Sequence, residues 1–173
     1  PKAWEALMKK LAEMIIVYVR AQINAGVSAV QIFDSWIGAV NAEDYRTYIK
    51  PTMEHIFTEL RKEFVPLIMF GFNAKHLLLE FNDFPVDVIG LDWRTSISEA
   101  RKMGITKVLQ GNLDPAILLA DWDTIEKRTK AILDEGMQDG RHVFNLGHGV
   151  TPDITQDTLK KLAQFVRTYS KRS

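Results

Sequence analysis

Apolar residues follow two different spacings along this chain, and these spacings predict helices that alternate with buried strands. The first helix is predicted from apolar residues three or four positions apart, and Gly26 ends it. Its apolar face comprises Trp4, Leu7, Met8, Leu11, Ile15, Tyr18, Val19 and Ile23. Continuous apolar runs predict strands over residues 29–33, 64–72, 86–91, 107–110 and 142–146.

Capping residues and prolines mark the helices between these strands. Asn41 is a predicted N-cap of a helix that runs to about Lys62, and Pro51 predicts a kink or break inside it, because proline lacks the N–H donor. The other helices are predicted over 73–81, from a capping box at Ser96–Glu99 to Gly104, from Asp114-Pro115, from Asp123 to about Gly136, and from Thr155.

Five alternations of strand and helix predict an α/β fold with a parallel sheet covered by helices. Two architectures fit this order: an open doubly wound sheet and a (β/α) barrel. In both of them, ligands bind at the carboxyl ends of the strands. A complete eight-stranded barrel takes about 250 residues, so this chain of 173 residues is too short for one.

The composition argues against several classes of protein and kinds of site. Hydrophobic residues make up 46%, and 22 basic residues balance 22 acidic ones, which argues against a nucleic-acid binder that works by bulk charge. With no cysteine, the chain forms no disulfide and no thiolate metal site. We find no membrane-spanning run and no leader sequence, so we predict a single cytoplasmic domain over 1–173.

Polar residues follow each predicted strand, and these strand tips are the candidate chemistry. They are Asp34-Ser35, Gly71–Asn73, Asp92–Arg94, Gly111–Asp114 and Asn145–His148. Neither a dinucleotide-binding nor a P-loop glycine pattern follows any strand, and no metal-binding histidine spacing occurs.

The sequence allows either a structural or a functional role for the tip residues. Ser35 serves either a turn or a ligand contact, and Arg94 either clamps a carboxylate or lies in solvent. Asp92 is either a buried acceptor or a site carboxylate, whereas Asp114 is most simply an N-cap. His148 stands between two glycines that let the backbone turn and approach a ligand, which favours ligand contact over core packing.

Four strings carry a family resemblance, and they occur in the order IFDS (32–35), GLDW (90–93), QGNLDP (110–115) and NLGHG (145–149). Together they resemble the carboxyl-terminal half of uroporphyrinogen decarboxylase, and the similarity covers essentially the whole chain. The resemblance implies the C-terminal five βα units of a (β/α)8 TIM barrel, incomplete as given. Strands of the family barrel that come before these units are absent.

The same resemblance implies the activity. The family is a carboxy-lyase of haem and porphyrin biosynthesis that converts uroporphyrinogen to coproporphyrinogen by removing four acetate carboxyls. It works as a cytoplasmic homodimer, without metal or organic cofactor. The family's serine and histidine that contact the substrate match Ser35 and His148. Its arginine pair, aspartate and cleft tyrosine belong to the amino-terminal segment, so no catalytic residue is assigned here and the isolated chain is expected to be inactive.

Two alternatives stay open beside this interpretation. One is a corrinoid (cobalamin) methyltransferase-related protein of the same fold, which is expected to use thiolate zinc chemistry although this chain has no cysteine. The other is a non-catalytic barrel fragment. Five of eight strands cannot close a barrel, so the first strand (near 30–33) and the last (near 143–146) are predicted to have unpaired edges.

Overall fold

The computed structural model describes residues 2–172, and side chains as far as Lys171. The chain forms two compact units, which meet in sequence between Ile89 and Gly90. The α-helices are α1 (Lys2–Asn24), α2 (Ala42–Asp44), α3 (Lys50–Leu60), α4 (Leu78–Asp83), α5 (Ile97–Lys102), α6 (Trp122–Met137) and α7 (Gln156–Tyr169). The strands are β1 (Val30–Asp34), β2 (Leu67–Gly71), β3 (Val88–Gly90), β4 (Val108–Leu113) and β5 (His142–Leu146).

The strand order follows the chain order, β1-β2-β3-β4-β5. In the first unit β1 pairs in parallel with β2, with Asp34 opposite Gly71 at their carboxyl ends. In the second unit β4 pairs in parallel with β5, with Leu113 opposite Leu146. Parallel strands that alternate with helices confirm the predicted α/β fold and match part of a (β/α) barrel. Within the described residues, β1 and β5 are the end strands, as predicted.

Most of the predicted helix starts are confirmed by side-chain hydrogen bonds. Asn41, Ser96, Asp114 and Thr155 each accept a backbone N–H from the first turn that follows them. The segment after Asp114 is a short 3₁₀ helix, Pro115–Leu119. The helix predicted from Asp123 to about Gly136 is α6, which is one residue longer at each end; its cap is Asp121, whose carboxylate accepts the N–H of Thr124 at 2.8 Å.

The predicted break at Pro51 is a change of helix type. A π-helical turn, Tyr45–Ile49, separates α2 from α3, and Pro51 lies in the first turn of α3, where its missing N–H costs little.

The predicted strand over 64–72 was too long at its start. Phe64 has a left-handed backbone (φ 57°) and an exposed side chain, so it ends the preceding 3₁₀ turn.

Each unit buries its own apolar cluster. In the first unit the largest buried side chains include Tyr45, Phe57, Phe81 and Phe84. In the second, Leu113, Leu118, Ile125 and Leu162 form a core between β4, α6 and α7. We identify no described helix with the length and hydropathy that crossing a bilayer requires. These cores fix the strands whose carboxyl ends carry the candidate site.

Candidate active site at the carboxyl ends of the strands

In the first unit, a turn held by Asp34 places Ser35 directly after β1. The Asp34 carboxylate accepts the N–H groups of Trp36 and Ile37, both at 2.9 Å, through one oxygen. Ser35 lies between them, half-buried, and its hydroxyl makes no hydrogen bond to the described part of the chain. Asp34, and not Ser35, therefore supplies the side-chain hydrogen bonds of this turn.

The turn is also fixed against the end of β2. The Phe72 N–H donates to the Asp34 carbonyl at 2.9 Å. A β-carbon at Gly38 would lie 2.4 Å from the Phe72 carbonyl oxygen and 2.5 Å from that of Asn73, so only glycine fits there. Ser35 is consequently held on a turn that is anchored on both sides.

Aromatic surface lies beside Ser35. Trp36 is 84% exposed, which is unusual for the largest apolar side chain. The half-exposed ring of Phe33 stacks on Phe70, with 4.4 Å between the ring centroids. An apolar surface of this kind next to a polar tip is typical of a binding site.

In the second unit, Asn112 organises the turn that follows β3. Its buried amide nitrogen donates to the carbonyl oxygens of Asp92, at 2.8 Å, and Thr95, at 2.6 Å. These bonds tie the tip of β4 to the Asp92–Thr95 turn. The sequence marked Asn112 only as a tip residue, and a polar residue at the end of a buried apolar run was the one available signal.

The tip of β5 lies directly against the same turn. The Gly147 N–H donates to the Leu113 carbonyl at 2.7 Å, and a β-carbon at Gly147 would lie 2.7 Å from the Trp93 nitrogen. His148 follows, half-buried. The absence of a side chain at Gly147 therefore lets the tip of β5 approach the turn after β3 closely. Gly149 has open space around it, and neither glycine has a left-handed φ.

Arg94 and Asp92 form an ion pair at this tip. The buried Asp92 carboxylate accepts the Arg94 backbone N–H at 2.8 Å and its Nη1 at 3.2 Å. The Arg94 guanidinium also lies over the Trp93 ring, 4.3 Å from its centroid. Asp92 is thus a buried acceptor, and Arg94 does not extend freely into solvent.

A cavity of about 350 Å³ lies beside these tips in the second unit. Trp93, Asn112 and Asp114 line it from the strand ends, and Arg128 and Glu135 line it from α6. His148 is not among its lining residues.

Of the other histidines, His55 and His76 make hydrogen bonds away from the tips, whereas His142 contacts the tip of β4. His55 contacts Glu13 at 3.1 Å and His76 contacts the Val40 carbonyl at 2.8 Å. His142, at the start of β5, contacts the Gly111 carbonyl at 2.6 Å, and burial lowers its pKa below the ordinary histidine value. Within residues 2–172 no cluster of three or more potential metal ligands forms.

The two predicted substrate-binding residues belong to different units, Ser35 to the first and His148 to the second. Each follows a parallel strand at its carboxyl end, where the fold places ligands. The sequence analysis missed that Asp34 holds the Ser35 turn. An Asp at the end of a predicted strand was the signal for an Asx-type turn.

Comparison with known proteins relates this geometry to a family. The family model described as uroporphyrinogen decarboxylase (URO-D) matches residues 1–169. A uroporphyrinogen decarboxylase of Oceanobacillus iheyensis is 70% identical over 172 residues, which are 99% of this chain and 50% of that protein. The one from Bacillus subtilis is 64% identical over 170 residues, 98% of this chain and 48% of that protein.

The chain thus spans about half the length of the curated relatives it matches. The match is nevertheless continuous and covers the tips of all the strands, from β1 to β5. This chain belongs to the uroporphyrinogen decarboxylase family.

Proposed function

We propose that this chain forms one half of a uroporphyrinogen decarboxylase, a carboxy-lyase that removes the four acetate carboxyls of uroporphyrinogen to give coproporphyrinogen. The observation that carries the proposal is the 70% identity over 172 residues to a relative named uroporphyrinogen decarboxylase. The two anchored tips that present Ser35 and His148 support it, because they lie where barrel enzymes bind their substrates.

The chemistry sets three requirements for the complete site. Decarboxylation of a pyrrole acetate first needs a proton on the ring, so positive charge develops beside the pyrrole nitrogen. A fixed carboxylate near the pyrrole N–H groups stabilises that charge. An octa-acidic substrate also needs cations and hydrogen-bond donors for its carboxylates.

Ser35 and His148 meet part of the last requirement. The Ser35 hydroxyl has no hydrogen-bond partner in the described part of the chain and stands beside apolar surface, so it can donate to a substrate carboxylate. The His148 ring stands on a loop pressed against the Trp93 backbone, which limits its movement. Neither residue replaces the aspartate or the arginine pair that the family resemblance assigns to the other half.

The finer features of the proposal come from the family resemblance. We propose that the complete enzyme is a cytoplasmic homodimer that needs no metal or organic cofactor. We also propose that the isolated chain does not turn over substrate, because it spans only half of its relatives. A non-catalytic role for the isolated fragment is consistent with this.

A full-length chimera tests the proposal. In it, this chain replaces the matching half of the Oceanobacillus iheyensis protein, and decarboxylation of uroporphyrinogen is measured without added metal or cofactor. Ser35→Ala and His148→Ala are expected to weaken turnover, since a hydrogen bond to a charged carboxylate contributes about 1.5–3 kcal/mol. Ser28→Ala is the matched control for the first, because Ser28 is exposed and precedes the opposite end of β1. His55→Ala is the control for the second, because His55 pairs with Glu13 on the helices.

The outcomes separate three interpretations. Turnover by the chimera, with losses confined to the Ser35 and His148 variants, supports the proposal. Zinc-dependent methyl transfer instead would favour the corrinoid methyltransferase class. Unchanged kinetics in both variants would reduce Ser35 and His148 to structural residues, and turnover by the isolated chain would show that the other half is not required.

A further inference from the structure

The turn after β3 carries an arginine whose position is fixed from two sides. Asp92 accepts one guanidinium nitrogen of Arg94 at 3.2 Å, and the Trp93 ring lies 4.3 Å from the guanidinium carbon. The Arg94 side chain is nevertheless 42% exposed, whereas that of Asp92 is 5% exposed. The carboxylate therefore lies inside the unit and the guanidinium reaches its surface.

The geometry of this pair differs from that of the Arg61–Asp87 ion pair in the first unit. There, Arg61 Nη1 reaches both oxygens of Asp87, at 2.8 and 2.6 Å. Arg94 Nη1 lies 3.2 Å from one Asp92 oxygen, a distance longer than the 2.7–2.9 Å usual for charge-assisted hydrogen bonds. Asp92 and Trp93 thus orient the guanidinium plane from two sides.

The Arg94 turn is also next to the proposed substrate site. Gly147 packs against the Trp93 backbone, so the tip that carries His148 and the turn that carries Arg94 are in direct contact. Asn112 braces the same turn through two hydrogen bonds. A planar guanidinium held at such a place is suited to a carboxylate, because its N–H groups match the two carboxylate oxygens.

We propose that Arg94 is a binding residue that receives a carboxylate of the porphyrinogen, with Asp92 and Trp93 as its positioning residues. This inference rests on the proposed function, and it adds to the site a cation supplied by this half of the protein. An orientation fixed before binding lowers the entropy lost when the carboxylate arrives. Arg94 therefore contributes to substrate affinity and leaves proton transfer to other groups.

The test uses Arg94→Gln and Arg94→Lys in the full-length chimera. Arg167→Gln is the matched control, because it removes the same charge from an exposed position on α7. Steady-state kinetics with uroporphyrinogen are measured at several ionic strengths, together with equilibrium binding of uroporphyrin, the stable octa-acidic probe. The double variant Asp92→Asn/Arg94→Gln removes the buried charge that Arg94→Gln alone leaves without its partner.

Arg94→Gln is expected to raise KM and the uroporphyrin Kd by about ten- to a hundredfold, with a smaller change in kcat. It should also flatten the dependence of kcat/KM on ionic strength, while Arg94→Lys recovers part of the loss and Arg167→Gln has no effect. The double variant should show the same loss in affinity with an unchanged melting temperature.

The outcomes distinguish this inference from the proposed function. Normal KM, Kd and salt dependence for Arg94→Gln in an active chimera overturn the inference alone. A changed oligomeric state of that variant with unchanged KM would assign Arg94 to a protein contact and equally overturn it. An unsubstituted chimera that neither decarboxylates uroporphyrinogen nor binds uroporphyrin overturns the proposed function, and the inference falls with it.

Discussion

Replacing Gly147 by alanine tests whether close contact between two loops holds His148 in place. A β-carbon at this position would lie 2.7 Å from the Trp93 nitrogen, 3.0 Å from its Cε3 atom and 3.2 Å from the Asp92 carbonyl carbon. The nearest atom belongs to the backbone and cannot rotate away. The alanine variant must therefore push apart the tip of β5 and the turn after β3.

The expected change in the free energy of unfolding is the sum of two opposing terms. Forcing an extra methyl group into a packed contact costs about 1–3 kcal/mol. Replacing glycine by alanine where the backbone allows it stabilises by about 0.4–1 kcal/mol, because the unfolded chain loses freedom. A β-carbon at Gly149 would have no described atom within 4 Å, and this glycine has no left-handed φ, so Gly149→Ala feels only the second term. The second term applies to both variants and cancels between them, so they should differ by about 1–3 kcal/mol.

Urea unfolding of the full-length chimera measures this difference, and kcat/KM reports on the position of His148. Gly147→Ala is expected to unfold at lower urea concentration than the unsubstituted protein and to lose activity. Gly149→Ala should match or exceed the unsubstituted midpoint. Equal midpoints for the two variants would refute the reasoning, because they would show that the contact with Trp93 does not constrain the loop.

Three further predictions concern the first unit and the sheet edges. Tyr45→Phe should keep or raise the urea midpoint, because the buried Tyr45 hydroxyl has no partner among the described protein atoms and such a group costs about 1–3 kcal/mol; a clear drop would contradict this. Burial opposes ionisation of Glu80, but hydrogen bonds from Lys50 and Arg46 outweigh it and lower the pKa of Glu80 below 4.5. Its stabilisation should therefore be present above pH 4.5 and lost as pH falls below it. Thermal melts of Glu80→Gln should converge with those of the unsubstituted protein in acid, and a difference independent of pH would exclude this account. Light scattering should show that the isolated chain associates through the edges of β1 and β5, whereas a cooperatively melting monomer would argue against exposed edges.

The local elements of this protein were predictable because each depends on near neighbours in sequence. The caps at Asn41, Ser96 and Thr155 act over three residues, so the residue types alone reveal them. Continuous apolar runs indicated parallel strands, since both faces of such strands are buried. The family followed from strings at the strand tips, which the comparisons then confirmed.

The tertiary structure decided how those tips are held. The Asn112 amide bonds carbonyls 17 and 20 residues away, and Gly147 abuts the backbone of Trp93. Local spacing cannot reveal such contacts, because they depend on which strands become neighbours and on the register between them. The orientation of Arg94 was undecided for another reason, although its partners are near in sequence: the residue types left it between a carboxylate clamp and a solvated side chain. Its contacts with Asp92 and Trp93 arise from how this turn folds over a buried carboxylate.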